Sequence, residues 1–409
     1  MEKDNQINRI KFIKLIKRLK RLKRLKKTVK TLWAGAVSIS GAGEAYQRLR
    51  HVRSGKTCGV ILTYHRVVPR SQLPKEALQD TIQATIQDTL QEALQVVSLP
   101  GIVVCEESFE AQMRLLAREF DPIALDEFVS ALANRVPLPR KCVVVTFDDG
   151  WQDNYLFAFP ILKSYAVPAT VFLTTGYVGT TKKIFWQESL VFLIKSLQKR
   201  LYEIRRRSRG DTSGDKEKLL HFFSAKGLAY LFPQLEKAIS GRDAVSELIE
   251  ILKGVDKMQV NCLIEALDEY LGHPGFPYSQ NSFLGWEQIR EMSGSNVTFG
   301  SHSATHGLLT ELDDDDLYRE LSTSKTAIED KLKFTVNTLA YPNGNFDNRV
   351  IRAAKDAGYT GAVSTIAGVN DGHTDPFALR RINIHEGKST GPNGSFSSSL
   401  FSTYVAGLL

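Results

Sequence analysis

The chain has 409 residues, 43% of them hydrophobic and 24% charged, a globular composition large enough for one substantial core. Its four cysteines (Cys58, Cys105, Cys142, Cys262) are scattered without a Cys-x-x-Cys pair, which excludes a disulfide framework or zinc finger and reads as reduced, buried thiols. No run approaches 18 apolar residues, which excludes a membrane-spanning helix. The net charge of +8 is lopsided: residues 1–30 hold thirteen Lys/Arg against Glu2 and Asp4, so everything after them is mildly acidic.

Residues 1–45 therefore read as a basic, amphipathic N-terminal segment. Phe12, Leu15, Ile16 and Leu19 share one helical face, while Leu22 and Leu25 make the stripe drift around the helix. An anionic membrane surface is the expected partner of residues 1–30, which makes the expected location cytoplasmic and peripheral on the inner face of the membrane. A solvated tail is the alternative, and no nucleic acid is expected. Residues 31–43 follow the basic run as an h-region follows an n-region, diluted by Gly and Ser, so export is a second reading.

From about residue 56 to 386 the chain alternates apolar strands with helical patterns. Gly59-Val60-Ile61-Leu62 is a strand that delivers Tyr64-His65 at its end. Residues 71–98 are Gln-rich, and Leu78, Ile82, Ile86, Leu90, Leu94 and Val97 predict an inserted amphipathic helix. Val143-Val144-Val145-Thr146-Phe147 suits an interior parallel strand, and it ends in Asp148-Asp149-Gly150. Adjacent carboxylates at a strand end can serve different roles, one holding a metal and one taking a proton; Asp-Asp-Gly is also ordinary turn chemistry.

The rhythm stops at residues 180–283, a helical insertion expected to cap the mouth of the fold. Val297–Phe299 then leads into His302 and His306, two imidazoles four residues apart. That spacing predicts one face of a helix or of a turn opening one. With a carboxylate from another strand end they make an Asp-His-His set that leaves a position open for water. Asp313–Asp316 opens a helix, where carboxylates favour the helix dipole. Residues 387–409 read as a weakly ordered tail or a last short helix.

Thr146-Phe147-Asp148-Asp149-Gly150, His302-Ser303-Ala304-Thr305-His306 and Leu339-Ala340-Tyr341-Pro342-Asn343-Gly344 resemble, in order, three motifs of the polysaccharide deacetylases (NodB homology, carbohydrate esterase family 4). Thr63-Tyr64-His65 resembles the N-terminal motif of the exopolysaccharide, biofilm-type members. The resemblance implies an α/β fold, a deformed (β/α)7 barrel with a helical insertion; strands near residues 60, 144, 171, 298, 339, 362 and 383 supply the seven. It implies hydrolysis of an N-acetyl group on an amino sugar of a polysaccharide or lipid-linked saccharide. Asp149, His302 and His306 would hold a divalent metal, Zn2+ by preference, and Asp148 would be the base. The backbone N–H of Asn343 would face the oxyanion, and His65, or alternatively His385, would be the acid. Many members carry an Arg where this chain has Ala340; Arg381 is the expected substitute. A catalytically silent glycan-binding barrel, an O-deacetylase or amidase, and a nucleotide-sugar transferase remain as other readings.

Overall fold

The computed structural model describes residues 25–73, 97–180, 182–207, 213–240, 244–278 and 282–409. Among the described residues there are ten strands: β1 Val60–Tyr64, β2 Arg66–Val68, β3 Val103–Cys105, β4 Asp121–Pro122, β5 Cys142–Phe147, β6 Ala169–Leu173, β7 Val297–Ser301, β8 Thr338–Ala340, β9 Gly361–Val363 and β10 Ile382–Asn383. Seven of them run in the order β10-β1-β5-β6-β7-β8-β9, every neighbour parallel, with β4 paired to β5 on the side. The seven predicted strands are these seven. The sheet curls until its edges nearly meet, because Leu379 bridges to Val363 of β9 while Ile382, three residues on, pairs with Leu62 of β1. This is a deformed (β/α)7 barrel, as expected.

Every residue of β1, β5 and β6 is buried, the pattern of strands covered on both faces. Side chains alternate between two clusters. Val60, Leu62, Val143 and Val145 pack under the outer helices. Ile61, Val144, Phe172, Val363 and Leu379 fill the barrel interior, together with Phe128 and Leu132 of the Leu125–Asn134 helix.

The insertion has its own core. Helices Trp186–Arg207, Ser213–Ala225, Phe232–Ser240, Ala244–Leu252 and Lys257–Leu271 bury Leu190, Ile194, Leu235, Leu248, Leu263 and Leu267 together. The returning chain pairs Phe283 with Trp151, just past the Asp-Asp-Gly turn. Asp313 caps the Asp314–Leu332 helix by accepting from the Asp316 N–H, so the acidic run is helix chemistry.

One expectation is narrowed and one corrected. Of the two readings of residues 387–409, the last short helix is the one present: Leu400, Phe401, Tyr404 and Val405 of the Ser398–Val405 helix are buried in the main core. Cys58, Cys105 and Cys142 are buried thiols, but Cys262 is exposed, on the solvent side of its helix. Residues 25–39 and Ala42–Arg53 are helical and rest against this C-terminal region; Lys27 Nζ donates to Thr390 Oγ1 (3.1 Å) and Arg50 to the Ala406 carbonyl (2.6 Å). Most of the basic run and of the Gln-rich helix, residues 1–24 and 74–96, lies outside the described residues. Among the described residues no helix is long and apolar enough to cross a membrane.

Candidate active site

The site forms at the carboxyl ends of the strands, where parallel α/β sheets gather ligands. β5 ends at Phe147, and Asp148 continues it, its N–H bonded to the Tyr64 carbonyl of β1. The next residue turns sharply: Asp149 has φ 76 and Gly150 φ 75. Asp is among the few L residues that tolerate this region. A Cβ at Gly150 would lie 2.9 Å from Leu173 Cδ2, so that position requires glycine. The reversal separates the two carboxylates, and they acquire different neighbours.

Asp149 faces the histidines. Its Oδ1 lies 3.5 Å from His302 Nε2 and 3.4 Å from His306 Nε2, and its Oδ2 accepts from Trp151 Nε1 at 2.9 Å. His302 donates from Nδ1 to the Ala340 carbonyl at 2.8 Å, which leaves Nε2 as its free ligand atom. The backbone of Ala340 thus supports the site although its side chain cannot. Tetrahedral zinc with bonds near 2.1 Å needs donors about 3.4 Å apart, so the two carboxylate–imidazole separations fit such an ion. One oxygen and two nitrogen atoms, all within 4.8 Å of one another, are a fitting donor set.

The histidine pair is not on a helix. Ser303 and His306 both have φ 63, and a loop bonded at Ala304 to the Gly176 N–H and at Thr305 to Glu320 presents the rings. The fourfold spacing suggested a helical face; two left-handed residues achieve the same convergence.

Asp148 faces Arg381. The guanidinium donates to both carboxylate oxygens, 2.7 Å each, and also to the Ser364 carbonyl and Thr146 Oγ1. Arg381 points into the barrel because it stands two residues after inward-facing Leu379 and just before outward-facing Ile382. Both partners are almost completely buried. Burial works to raise Asp148, but Arg381, with His302 and His65, outweighs it and holds the carboxyl below its ordinary range. For Asp149, burial is likewise outweighed by His302, His65 and His306, and the carboxyl is strongly ionised. Burial and the neighbouring His302 push His306 down to about 4.

Register separates the two acid candidates. Tyr64 pairs with Phe147, so His65 emerges level with Asp148 on the adjacent strand, its Nε2 3.9 Å from Asp148 Oδ2. His65 Nδ1 is buried without a hydrogen-bond partner among the described residues. His385 follows β10, one strand further away. Its charged neighbours are Lys388 and Lys27, and burial pushes it down to about 4.

A buried group stands behind Asp149 that sequence reasoning missed. Arg66 pairs with Asp153 (2.8 Å), and its guanidinium covers the Trp151 ring at 4.2 Å; Phe283 stacks on that ring at 4.5 Å. Trp151 is fixed from both sides, which aims its N–H at Asp149. Glu188, from the first insertion helix, is buried nearby. Burial and Asp149 push its carboxyl up to about 8 against the pull of Arg66. Trp151 alone had a signal, its place directly after Asp-Asp-Gly.

Asn343, with φ 57, lines one cavity of about 310 Å³ together with His306, Phe185 and Trp186. Tyr341 is fully buried, its hydroxyl donating to the Phe377 carbonyl, and is a rigid support of that turn.

The profile of the family described as polysaccharide deacetylase matches residues 135–203 and 242–362. A Bacillus subtilis protein named for the same family, YxkH, is 20% identical over 298 residues, 73% of this chain and 71% of its own. The poly-beta-1,6-N-acetyl-D-glucosamine N-deacetylase of Staphylococcus epidermidis is 30% identical over 139 residues, 34% of this chain; the match spans 43% of that relative. Among solved structures, the Streptococcus pyogenes deacetylase PplD in complex with acetate aligns at 18% identity with a TM-score of 0.47, covering 82% of this chain and 96% of that one.

Proposed function

The chain belongs to the polysaccharide deacetylase family, and on that premise we propose that it is a metal-dependent hydrolase removing N-acetyl groups from an amino-sugar glycan. The observation that carries this reading is the division of labour between Asp149, grouped with His302 and His306, and Asp148, held ionised by Arg381. An exopolysaccharide of N-acetylglucosamine is the substrate class that the staphylococcal relative's name supports. The donor set favours Zn2+, held by Asp149, His302 and His306. When bound, such an ion lowers the pKa of its water and polarises the acetyl carbonyl.

The chain's own groups supply the rest. Asp148 accepts the water proton on its carboxylate, and Arg381 keeps that carboxylate charged and oriented until then. The Asn343 N–H faces the carbonyl oxygen as its charge grows. His65 delivers a proton to the departing amine. A silent glycan-binding barrel would have no use for a base so fully prepared.

Acetate release from N-acetylglucosamine oligomers, with and without a chelator, tests the reading; an active enzyme indifferent to chelation, or no release at all, overturns it. His65→Ala is expected to slow release by about 10²-fold or more, while His385→Ala stays within a few-fold. The reverse order would move the acid to His385.

We further propose that the basic N-terminal segment rests on the anionic inner face of a membrane. In the helical residues 25–39, Leu25, Val29, Leu32 and Ile39 are exposed at intervals of three, four and seven. An apolar stripe in a sequence whose first thirty residues hold thirteen cations suits a lipid interface. Deleting residues 1–30 should abolish sedimentation with phosphatidylglycerol vesicles; unchanged sedimentation discards the proposal.

A further inference from the structure

A side chain of the insertion reaches the third-motif turn. Lys253, just past the Ala244–Leu252 helix, donates from Nζ to Asn343 Oδ1 at 2.5 Å across 90 residues of sequence. The other end of that amide, Nδ2, donates to Asn345 Oδ1 at 2.7 Å. The amide is therefore gripped at both ends, one of them by an ammonium, which makes the stronger kind of hydrogen bond.

The grip falls on an unusual backbone. Asn343 has φ 57, in the left-handed region that Asn enters more readily than most L residues, and Gly344 follows at φ 79. The direction of the Asn343 N–H depends on that backbone geometry, since rotating φ swings the bond itself. Behind the turn the fit is tight: a Cβ on Gly344 would fall 2.0 Å from Thr365 Oγ1. In front of it, Lys253 and His306 line the same cavity.

We propose that Lys253 is a positioning residue for the deacetylation: by holding the Asn343 side chain it fixes where the Asn343 N–H points, which makes the insertion a working part of the site. This rests on the N-deacetylase reading. Lys253 is not a spare cation awaiting an anionic substrate. Its ammonium also donates to Glu250 Oε1 at 2.7 Å, so its charge is already matched, and its side chain is only 21% exposed. Its loss should therefore slow turnover and leave substrate affinity alone.

The test is steady-state acetate release by the full-length, zinc-loaded protein on N-acetylglucosamine oligomers. Lys253→Met is expected to lower kcat by roughly ten- to a hundredfold, the scale of a small misplacement at a reacting centre, with KM and zinc content unchanged. Lys253→Arg, which can still donate to the amide, should recover most of the rate. A Lys253→Met enzyme with wild-type kcat, or one altered only in KM, overturns the proposal. So does a folded Lys253→Arg enzyme whose kcat is down by about tenfold or more against wild type, a comparison that holds even if the Met variant fails to fold. Wild-type protein that releases no acetate fails the N-deacetylase reading itself and takes this inference with it.

Discussion

Asp148→Asn is expected to lower acetate release by about 10²–10⁴-fold while the protein keeps its full complement of zinc. Asn has nearly the shape of Asp but cannot accept the water proton, so the step that needs a base loses it. The metal set is untouched, because Asp148 points to Arg381 and Asp149 alone faces the two imidazoles. The contrasting variant is His302→Ala/His306→Ala, which removes two of three donors and should lose the zinc outright. Metal content by elemental analysis and acetate release by coupled assay separate the two outcomes. An active Asp148→Asn enzyme removes Asp148 as the base, and zinc retained by the double variant removes the ligand assignment.

Arg381→Met is expected to damage stability and pH dependence together. Removing one partner of a buried pair leaves an uncompensated charge, a loss of about 3–5 kcal/mol. Arg381 and Asp148 qualify: both are almost fully buried, and the contact is bidentate. In the wild type the Asp148 carboxyl is held below its ordinary value, so its contribution to stability is present at neutral pH. That contribution disappears only as the pH falls through the folded-state pKa. Without Arg381, burial dominates and the pKa rises. The base must be ionised to work, so the acid limb of the pH–rate profile should move to higher pH. Arg381→Lys keeps the charge but not the fork and should fall between the two. A variant with wild-type melting temperature and an unmoved acid limb would show that Asp148 does not depend on Arg381.

How much of this was legible in advance depended on how local each signal was. Strands covered on both faces read as β-branched apolar runs, so β1, β5 and β6 stood out in the sequence. The three-residue strand β8 was placed but not bounded, and β9 was expected over 360–364, one residue too long at each end, since a ladder that short is set by its neighbours. The C-terminal segment was left between a loose tail and a last short helix because its Ser- and Gly-rich surroundings resemble a tail, while the burial of the helix depends on a core it meets only after folding.

By itself the sequence determined the barrel class and offered Asp148, Asp149, His302 and His306 as the candidate site, because they lie in short segments that resemble, in order, the motifs of one family. It also offered His65, His385 and Arg381 as candidates without ranking them by distance. Only the tertiary structure decided that β1, rather than β10, lies beside β5, which brings His65 against the carboxylates. The same closure of the barrel carries Arg381 across 233 residues of sequence to grip Asp148. Glu188 comes to lie near Asp149, and Lys253 against Asn343, for the same physical reason. Side-chain contacts between distant segments are fixed by register and packing, which no single stretch of sequence contains.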